Sequence, residues 1–219
     1  MNKRFIAILA ACIIAFAGLL ILTKKDSKTP SEQTDNNPSS QLSNHIKGQG
    51  TTGVTLTEYG DFACPACYQY FPIVQQVKEK YGDQIKFQFR HYPLTEIHQN
   101  ALVSARAAEA AGKQNKFFEM HDLLYQNQPT WRDSSNPTPL FENYANQLGL
   151  DLSKFKEDVK NSVTNATVQA DRAEARRLNY SSTPTFEVDG KQVENPRSLE
   201  DFTKLIDNAI KEKQAQKQQ

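Results

Sequence analysis

The residues best suited to chemistry are Cys64 and Cys67, which stand two residues apart in the segment DFACPACYQY. If a helix begins at Cys64, Pro65 falls in its first turn, where the missing N–H costs nothing, and Cys67 lies one turn on, on the same side. The two sulfurs can then reach each other. The positive end of the helix dipole stabilises a Cys64 thiolate, which predicts a centre that exchanges disulfides.

Two other interpretations of the cysteine pair are weaker. A purely structural disulfide would close only a very short loop and would constrain the unfolded chain little. A zinc site needs two further ligands, and the histidines show no ligand spacing, so we expect neither a metal nor an organic cofactor; they are His45, His91, His98 and His121. A net charge of +1 and the absence of a glycine-rich phosphate loop argue against binding of nucleic acid or nucleotide.

The residues around the cysteines predict the elements that must position them. Val54, Leu56 and Glu58 alternate with polar or aromatic residues, as in a strand, and this strand leads directly to the cysteines. Apolar residues at helical spacing follow from 65 to 81, and Gly82 is a suitable stop. A second alternating run over QIKFQFRHY completes a β-α-β unit, whose two strands should lie parallel.

The rest of the chain predicts an inserted helical subdomain and a closing β-β-α unit. Residues 96–179 contain several helical segments and no alternating run. The pair Asp189-Gly190 between two short apolar runs indicates a hairpin, and Ser198 is a suitable N-cap for a final helix. We therefore predict an α/β fold in the order β-α-β, helical insert, β-β-α.

The two ends of the 219-residue chain have different compositions from the middle. Residues 5–22 are uncharged and apolar, so we interpret residues 1–25 as a membrane anchor; a cleaved signal peptide and a lipidated Cys12 are the alternatives. Residues 26–50 are polar and predict a disordered linker. The folded domain is expected at 51–214, followed by a polar tail at 215–219.

Several motifs together resemble a known family. CPAC follows a strand, Pro72 lies inside the next helix, and Thr183-Pro184 precedes a later strand. With RHYPL and NKFFEMHDLLYQNQPTW, these segments resemble the DsbA-like branch of the thioredoxin superfamily, which comprises extracytoplasmic thiol-disulfide oxidoreductases. The resemblance covers about residues 50–212 and implies a thioredoxin fold with a helical subdomain inserted after the first β-α-β unit.

The resemblance also implies roles for individual residues. Cys64 matches the exposed nucleophile that forms a mixed disulfide with substrate, and Cys67 matches the buried resolving cysteine. Pro184 matches a cis-proline whose loop faces the disulfide, and the backbone of Thr183 would contact a substrate strand. Pro65 lies between the cysteines and would support the active-site turn.

Glu58 and Ala66 are the two remaining residues of interest near the cysteines. Glu58 shares the strand face of Val54 and Leu56, so burial should raise its pKa and let it exchange protons with Cys67; the alternative is that it faces solvent at a strand end. Strongly oxidising relatives carry histidine at the position of Ala66, and alanine cannot stabilise a thiolate as histidine does. We still expect a moderately to strongly oxidising pair.

The function that this resemblance implies is the oxidation of exported proteins outside the cytoplasm. A membrane-tethered, monomeric domain would transfer its disulfide to reduced, unfolded exported proteins. A membrane partner of the DsbB or vitamin K epoxide reductase type would then reoxidise it, with electrons passing to quinone. Two alternatives remain open, namely a reductase or isomerase with the same fold, and a non-catalytic module that binds peptides as a chaperone.

Overall fold

The structure is a computed structural model that describes residues 41–218. Its strands form one five-stranded sheet in the spatial order β1-β3-β2-β4-β5. The strands are β1 (His45–Lys47), β2 (Val54–Gly60), β3 (Ile85–His91), β4 (Thr185–Val188) and β5 (Lys191–Val193). β2 and β3 pair in parallel and all other pairs are antiparallel, which is the arrangement that the β-α-β and hairpin patterns predict.

Eight α-helices and a short 3-10 helix, Gly82–Gln84, complete the described part of the chain. The α-helices are α1 (Pro65–Tyr81), α2 (Ala101–Gly112), α3 (Phe117–Gln126), α4 (Gln128–Trp131), α5 (Thr138–Gln147), α6 (Leu152–Lys160), α7 (Ser162–Arg177) and α8 (Leu199–Lys217). Helix α1 connects β2 to β3, and α8 packs against both β2 and α1. The six helices α2–α7 lie between β3 and β4, where the sequence predicts the inserted subdomain.

Local sequence signals explain where the helices beside the sheet begin and end. Pro65 occupies the first turn of α1, and Gly82 closes that helix with a φ of 48°, a conformation that glycine adopts easily. Ser198 caps α8, as predicted, because its hydroxyl accepts a hydrogen bond from the N–H of Asp201 at 3.1 Å. In the hairpin, Asp189 and Gly190 both adopt positive φ, which suits a tight turn between β4 and β5.

The core between the sheet and the helices is rich in aromatic side chains. Phe62 stacks on Phe89 with ring centroids 5.2 Å apart, and Phe186 meets Phe202 edge to face at 5.0 Å. Trp131, in the insert, is fully buried and packs on Phe141. Phe62 also packs against Tyr125 of the insert, with ring centroids 5.0 Å apart. These contacts join the segment before α1, the sheet and the insert around the residues that follow β2.

The predicted boundaries of the folded domain need two corrections. Residues 45–47 were placed in the disordered linker, but they form the edge strand β1 and pair with Phe87–Phe89. Helix α8 continues to Lys217, so residues 215–217 of the predicted polar tail are helical. Three residues are too few to show a clear alternation, and a helix with a polar face resembles a tail in composition, which explains both errors.

The predicted membrane anchor at 5–22 lies outside the described residues. Between residues 41 and 218, no helix combines the length and the apolar character needed to cross a bilayer.

Candidate active site

Cys64 lies at the point where β2 has ended and α1 begins. It is the N-cap residue of α1, with Pro65 in the first turn, and its own N–H donates to the carbonyl of Asp61 at 3.0 Å. Both cysteines are free thiols, so the structure represents the reduced form. Cys64 is 6% exposed and Cys67 is fully buried. The expected order of accessibility is therefore present, but Cys64 is far less exposed than the resemblance implied.

The loop at Thr183 and Pro184 explains why so little of Cys64 reaches solvent. The Cys64 thiol donates to the carbonyl oxygen of Thr183 at 3.4 Å, and the Thr183–Pro184 peptide bond is cis, as the resemblance implied. Asn195 holds this loop from the other side by donating to the Pro184 carbonyl at 2.7 Å. The cis-proline loop therefore covers the Cys64 sulfur and presents backbone groups beside it.

The two cysteines are electrostatically unequal. A hydrogen bond from the Cys67 thiol, together with one from the Thr183 side chain and the backbone N–H groups of Cys67 and Ala66, outweighs burial and lowers the pKa of Cys64 to about 6. Burial raises the pKa of Cys67 well above its ordinary value, and the nearby Cys64 thiolate adds to this effect. Cys64 is thus a thiolate near neutral pH while Cys67 keeps its proton, as an exchange centre requires.

Glu58 lies beneath the cysteines on β2 and is 2% exposed. Burial raises the pKa of its carboxyl group to about 8, an attraction to Lys78 opposes the rise, and the Cys64 thiolate adds to it. The alternative in which Glu58 faces solvent is therefore wrong. Glu58 also raises the pKa of Cys67, so the two groups share one buried electrostatic environment.

Two further polar groups, the Lys78 ammonium and the Tyr125 hydroxyl, lie near Glu58, and the sequence does not predict either. The Lys78 ammonium lies 5.2 Å from the centre of the Phe87 ring and 3.7 Å from Asp122, and burial lowers its pKa. The Tyr125 hydroxyl is buried without a hydrogen-bond partner in the described part of the chain. The buried carboxyl group and the phenol thus share the electrostatic environment of the sulfurs, and the ammonium acts on the carboxyl group, where ordinary packing would favour apolar side chains.

Asp61 and Gln128 position the cysteine turn, and sequence reasoning missed both. The side chain of Asp61 accepts a hydrogen bond from the N–H of Ala63 at 2.8 Å. Gln128, in the insert, donates to the carbonyls of Phe62 and Cys64 at 2.7 and 2.9 Å. Asp61 stands three residues before Cys64, which could have suggested a turn residue, whereas no local signal indicates Gln128.

The structure brings together one group of potential metal ligands that the sequence left scattered. The Nε2 atoms of His45 and His91 lie 2.6 and 2.8 Å from the same carboxylate oxygen of Glu109. These are hydrogen-bond distances, and Nδ1 of His91 has no partner within the described residues, although a metal-bound imidazole normally donates from its second nitrogen. We interpret the group as a hydrogen-bonded link between β1, β3 and α2.

Comparisons with known proteins agree with this geometry. The family model described as thioredoxin matches residues 40–208. The chain belongs to the thioredoxin family. Two solved structures share its fold: BdbD from Bacillus subtilis, with 24% identity, a TM-score of 0.65 and coverage of 76% of this chain and 92% of that one; and alpha-DsbA1 from Wolbachia pipientis, with 20% identity, a TM-score of 0.69 and coverage of 82% and 98%. The expected DsbA-like thioredoxin fold is confirmed.

Curated relatives include much longer proteins. The Na(+)/H(+) antiporter NhaA 3 from Salinispora tropica is 36% identical over 166 residues, which are 76% of this chain and 24% of the antiporter. The chain thus spans about a quarter of the length of this relative. Antiport belongs to the longer protein's name and is not assigned to this chain.

Proposed function

We propose that this protein is a DsbA-type protein thiol-disulfide oxidoreductase that oxidises exported proteins. The observation that carries the proposal is the unequal cysteine pair at the start of α1, with Cys64 against the Thr183 carbonyl and Cys67 buried above Glu58. A structural disulfide needs no stabilised thiolate and no buried carboxyl group beside it. An exchange centre uses both.

The reaction follows from the accessibility and the charge of the two sulfurs. In the oxidised enzyme, a substrate thiolate attacks Cys64 Sγ, breaks the Cys64–Cys67 bond and leaves the electron pair on Cys67. A second substrate thiolate then attacks the substrate sulfur of the mixed disulfide and displaces Cys64 as a thiolate. The substrate loses two electrons and gains a disulfide, and the enzyme becomes the dithiol.

Glu58 is proposed to supply the proton that Cys67 takes up when it leaves. With a pKa raised by burial to about 8, its carboxyl group is largely protonated at neutral pH. Cys67 has a pKa raised by the same burial, so its thiolate readily accepts a proton. Proton transfer inside this buried environment avoids the cost of leaving a bare thiolate away from water.

The stabilised Cys64 thiolate supports a disulfide donor rather than a reductase. Interactions that favour the thiolate favour the reduced enzyme, because they are lost when the disulfide forms. A pKa of about 6 for Cys64 therefore stabilises the reduced enzyme relative to the disulfide and favours transfer of the disulfide to substrate. On this basis electrons flow from the substrate to the enzyme.

The proposed setting is the outer side of a cytoplasmic membrane. The apolar segment 5–22 would anchor the chain, and residues 26–40 would tether a monomeric domain that begins just before β1. Each turnover leaves a dithiol, so a membrane oxidant of the DsbB or vitamin K epoxide reductase type, linked to quinone, would restore the disulfide.

The proposal is tested with Cys64→Ser and Cys67→Ser in a refolding assay. The substrate is a reduced protein whose native state contains disulfide bonds. The oxidised wild-type protein should speed disulfide formation, and both variants should lose turnover. With oxidised glutathione present as the oxidant, Cys67→Ser should also accumulate a mixed disulfide between Cys64 and the substrate, which non-reducing electrophoresis detects, and Cys64→Ser should not. Equal activity of wild type and Cys64→Ser would show a chaperone instead of an exchange enzyme.

A further inference from the structure

The thiolate of Cys64 lacks a charged neighbour on its own helix. Ala66 between the cysteines carries no charge, and the first turn of α1 contains no acidic side chain. The basic residues of α1 lie in its last turn. One of them, Lys78, interacts electrostatically with Asp122 and Glu58. Any cation close to the Cys64 sulfur must therefore come from another segment of the chain.

His98 is such a group, in the loop that follows β3. Its Nδ1 lies 2.7 Å from Oδ2 of Asp61, and its side chain is 15% exposed while that of Asp61 is completely buried. The backbone N–H of His98 donates to the carbonyl of Leu94, which fixes the loop. With Nδ1 bound to Asp61, Nε2 is the ring nitrogen left to face the surroundings.

Asp61 ties this imidazole to the cysteine turn. Its backbone carbonyl accepts the N–H of Cys64, and one side-chain oxygen accepts the N–H of Ala63. The other oxygen accepts both the N–H of Leu94 at 3.0 Å and the His98 ring. One buried carboxylate thus holds His98 in a fixed position beside the start of α1.

The geometry points to His98 as a positioning residue of the exchange reaction: held by Asp61, its imidazolium stabilises the Cys64 thiolate in place of a charged residue at Ala66. The inference rests on the proposed function, since it concerns the nucleophile of that reaction. It assigns a residue that does not belong to the CPAC motif and lies 34 positions away from Cys64 in the sequence.

The charges around His98 support a protonated ring. The hydrogen bond to Asp61 raises its pKa, burial opposes the rise, and the negative charges of Asp61 and Cys64 add to it. Arg132 acts in the opposite direction, but Arg132 is paired with Asp133, which also faces His98. Because electrostatic coupling is mutual, a ring whose protonation the Cys64 thiolate favours must in turn favour that thiolate.

A purely structural role for His98 makes a different prediction. Such a role needs only the hydrogen bond to Asp61, and asparagine can supply a donor at nearly the position of Nδ1. His98→Asn therefore keeps the hydrogen bond and removes the charge. His98→Lys keeps a positive charge next to Asp61 without an imidazole. The two variants separate charge from loop structure.

The experiment measures the pH dependence of alkylation of Cys64 by iodoacetamide in the reduced full-length protein. At pH 5, below the pKa of the thiol, we expect His98→Asn to react about threefold more slowly than wild type, which corresponds to a rise of roughly half a pKa unit. His98→Lys should restore the wild-type rate. The reduction potential of His98→Asn should be more negative than that of wild type at pH 6, and the difference should shrink towards pH 9 as the imidazolium loses its proton.

The matched control for this experiment is His45→Asn. His45→Asn removes an imidazole that is bonded to Glu109 rather than to the cysteine turn, and it should leave the rate unchanged. Equal rates for wild type and His98→Asn, or a difference in potential that is the same at pH 6 and pH 9, would overturn the inference while leaving the exchange activity in place. A wild-type Cys64 that titrates near pH 9 would overturn both the inference and the proposed function.

Discussion

At the scale of single residues, Glu58 combines features that are costly unless they serve the reaction. It is a carboxyl group on a central strand, almost completely buried, and its pKa is raised by burial to about 8. A glutamine would fit the same space without the cost of ionisation. The raised pKa matches what a proton donor to Cys67 requires near neutral pH.

Glu58→Gln should therefore slow the exchange reaction without disturbing the fold. We expect roughly tenfold or greater loss in the rate at which a substrate thiol reduces the enzyme disulfide near pH 7, because glutamine cannot deliver a proton to Cys67. Stopped-flow fluorescence of the oxidised protein mixed with a dithiol measures this rate.

The matched control for this rate is Glu187→Gln. Glu187 is also buried, but it lies on β4 opposite Thr57, one residue from the pair formed by Glu58 and Phe186, and so points to the other face of the sheet. The control should react like wild type. An equal loss in both variants would mean that removing any buried carboxyl group from this sheet slows the reaction, and the role of Glu58 would fail.

At the scale of elements, the helical insert does more than enlarge the domain. Through Gln128, the short helix α4 reaches two carbonyls of the segment that carries Cys64. The Cys64 carbonyl also accepts the N–H of Tyr68, but the Phe62 carbonyl depends on Gln128. Burial of a carbonyl without a partner is costly, so the insert helps to hold the cysteine turn.

Replacement of Gln128 by leucine should destabilise the protein by about 1–3 kcal/mol, because it leaves a buried carbonyl without its donor. The free energy of unfolding in urea measures the loss. Gln147→Leu serves as the control because Gln147 is an exposed residue of α5. A Gln128→Leu protein as stable as the control would show that α4 does not support the turn.

The edge strand β1 is a second element whose contribution can be tested. Ser43 donates its backbone N–H to the fully buried Asp171 at 2.9 Å, His45 lies within hydrogen-bond distance of Glu109, and residues 45–47 pair with β3. A domain that begins at residue 49 loses all of these contacts. We expect it to be at least about 2 kcal/mol less stable in urea than a domain that begins at residue 41. Equal stability of the two proteins would show that residues 41–48 belong to the linker and not to the folded domain.

The same elements show how much of the fold and of the site could be predicted from the sequence alone. Alternation in β2 and β3, the proline and glycine that bound α1, and the Asp189-Gly190 turn are local signals, and the elements they predict are all present. The same alternation placed Glu58 on the buried face of β2, and the resemblance to the family supplied the cis-proline. β1, Gln128 and the Asp61–His98 pair depend on contacts between distant segments, and single-sequence periodicity carries no information about such contacts.

At the scale of the whole molecule, the buried active-site carboxyl group links stability to pH. The folded pKa of Glu58 is about 8, above its ordinary value of 4.5. Below pH 4.5 the group is protonated in both states and costs nothing. As pH rises from 4.5 to 8, the unfolded chain ionises it while the folded chain does not, so stability falls over this window and then levels off.

This effect is measured by comparing the reduced wild type with Glu58→Gln in urea at several pH values. Relative to the variant, wild type should lose roughly 3–5 kcal/mol between pH 4.5 and pH 8. Comparison with the variant cancels the titration of groups that do not interact with Glu58; the coupled Cys64 contributes to the remaining difference. A constant difference across that window would show that Glu58 is ionised and solvated in the folded protein.

The measurement that tests the central account most directly is the equilibrium reduction potential of the Cys64–Cys67 pair. The protein is equilibrated with defined ratios of reduced and oxidised glutathione, and the free thiols are then trapped by alkylation. A stabilised Cys64 thiolate predicts an oxidising pair, with a potential well above that of thioredoxin and towards the value of about −120 mV for DsbA. A potential near about −270 mV, as in thioredoxin, would contradict the account and show a protein that donates electrons instead.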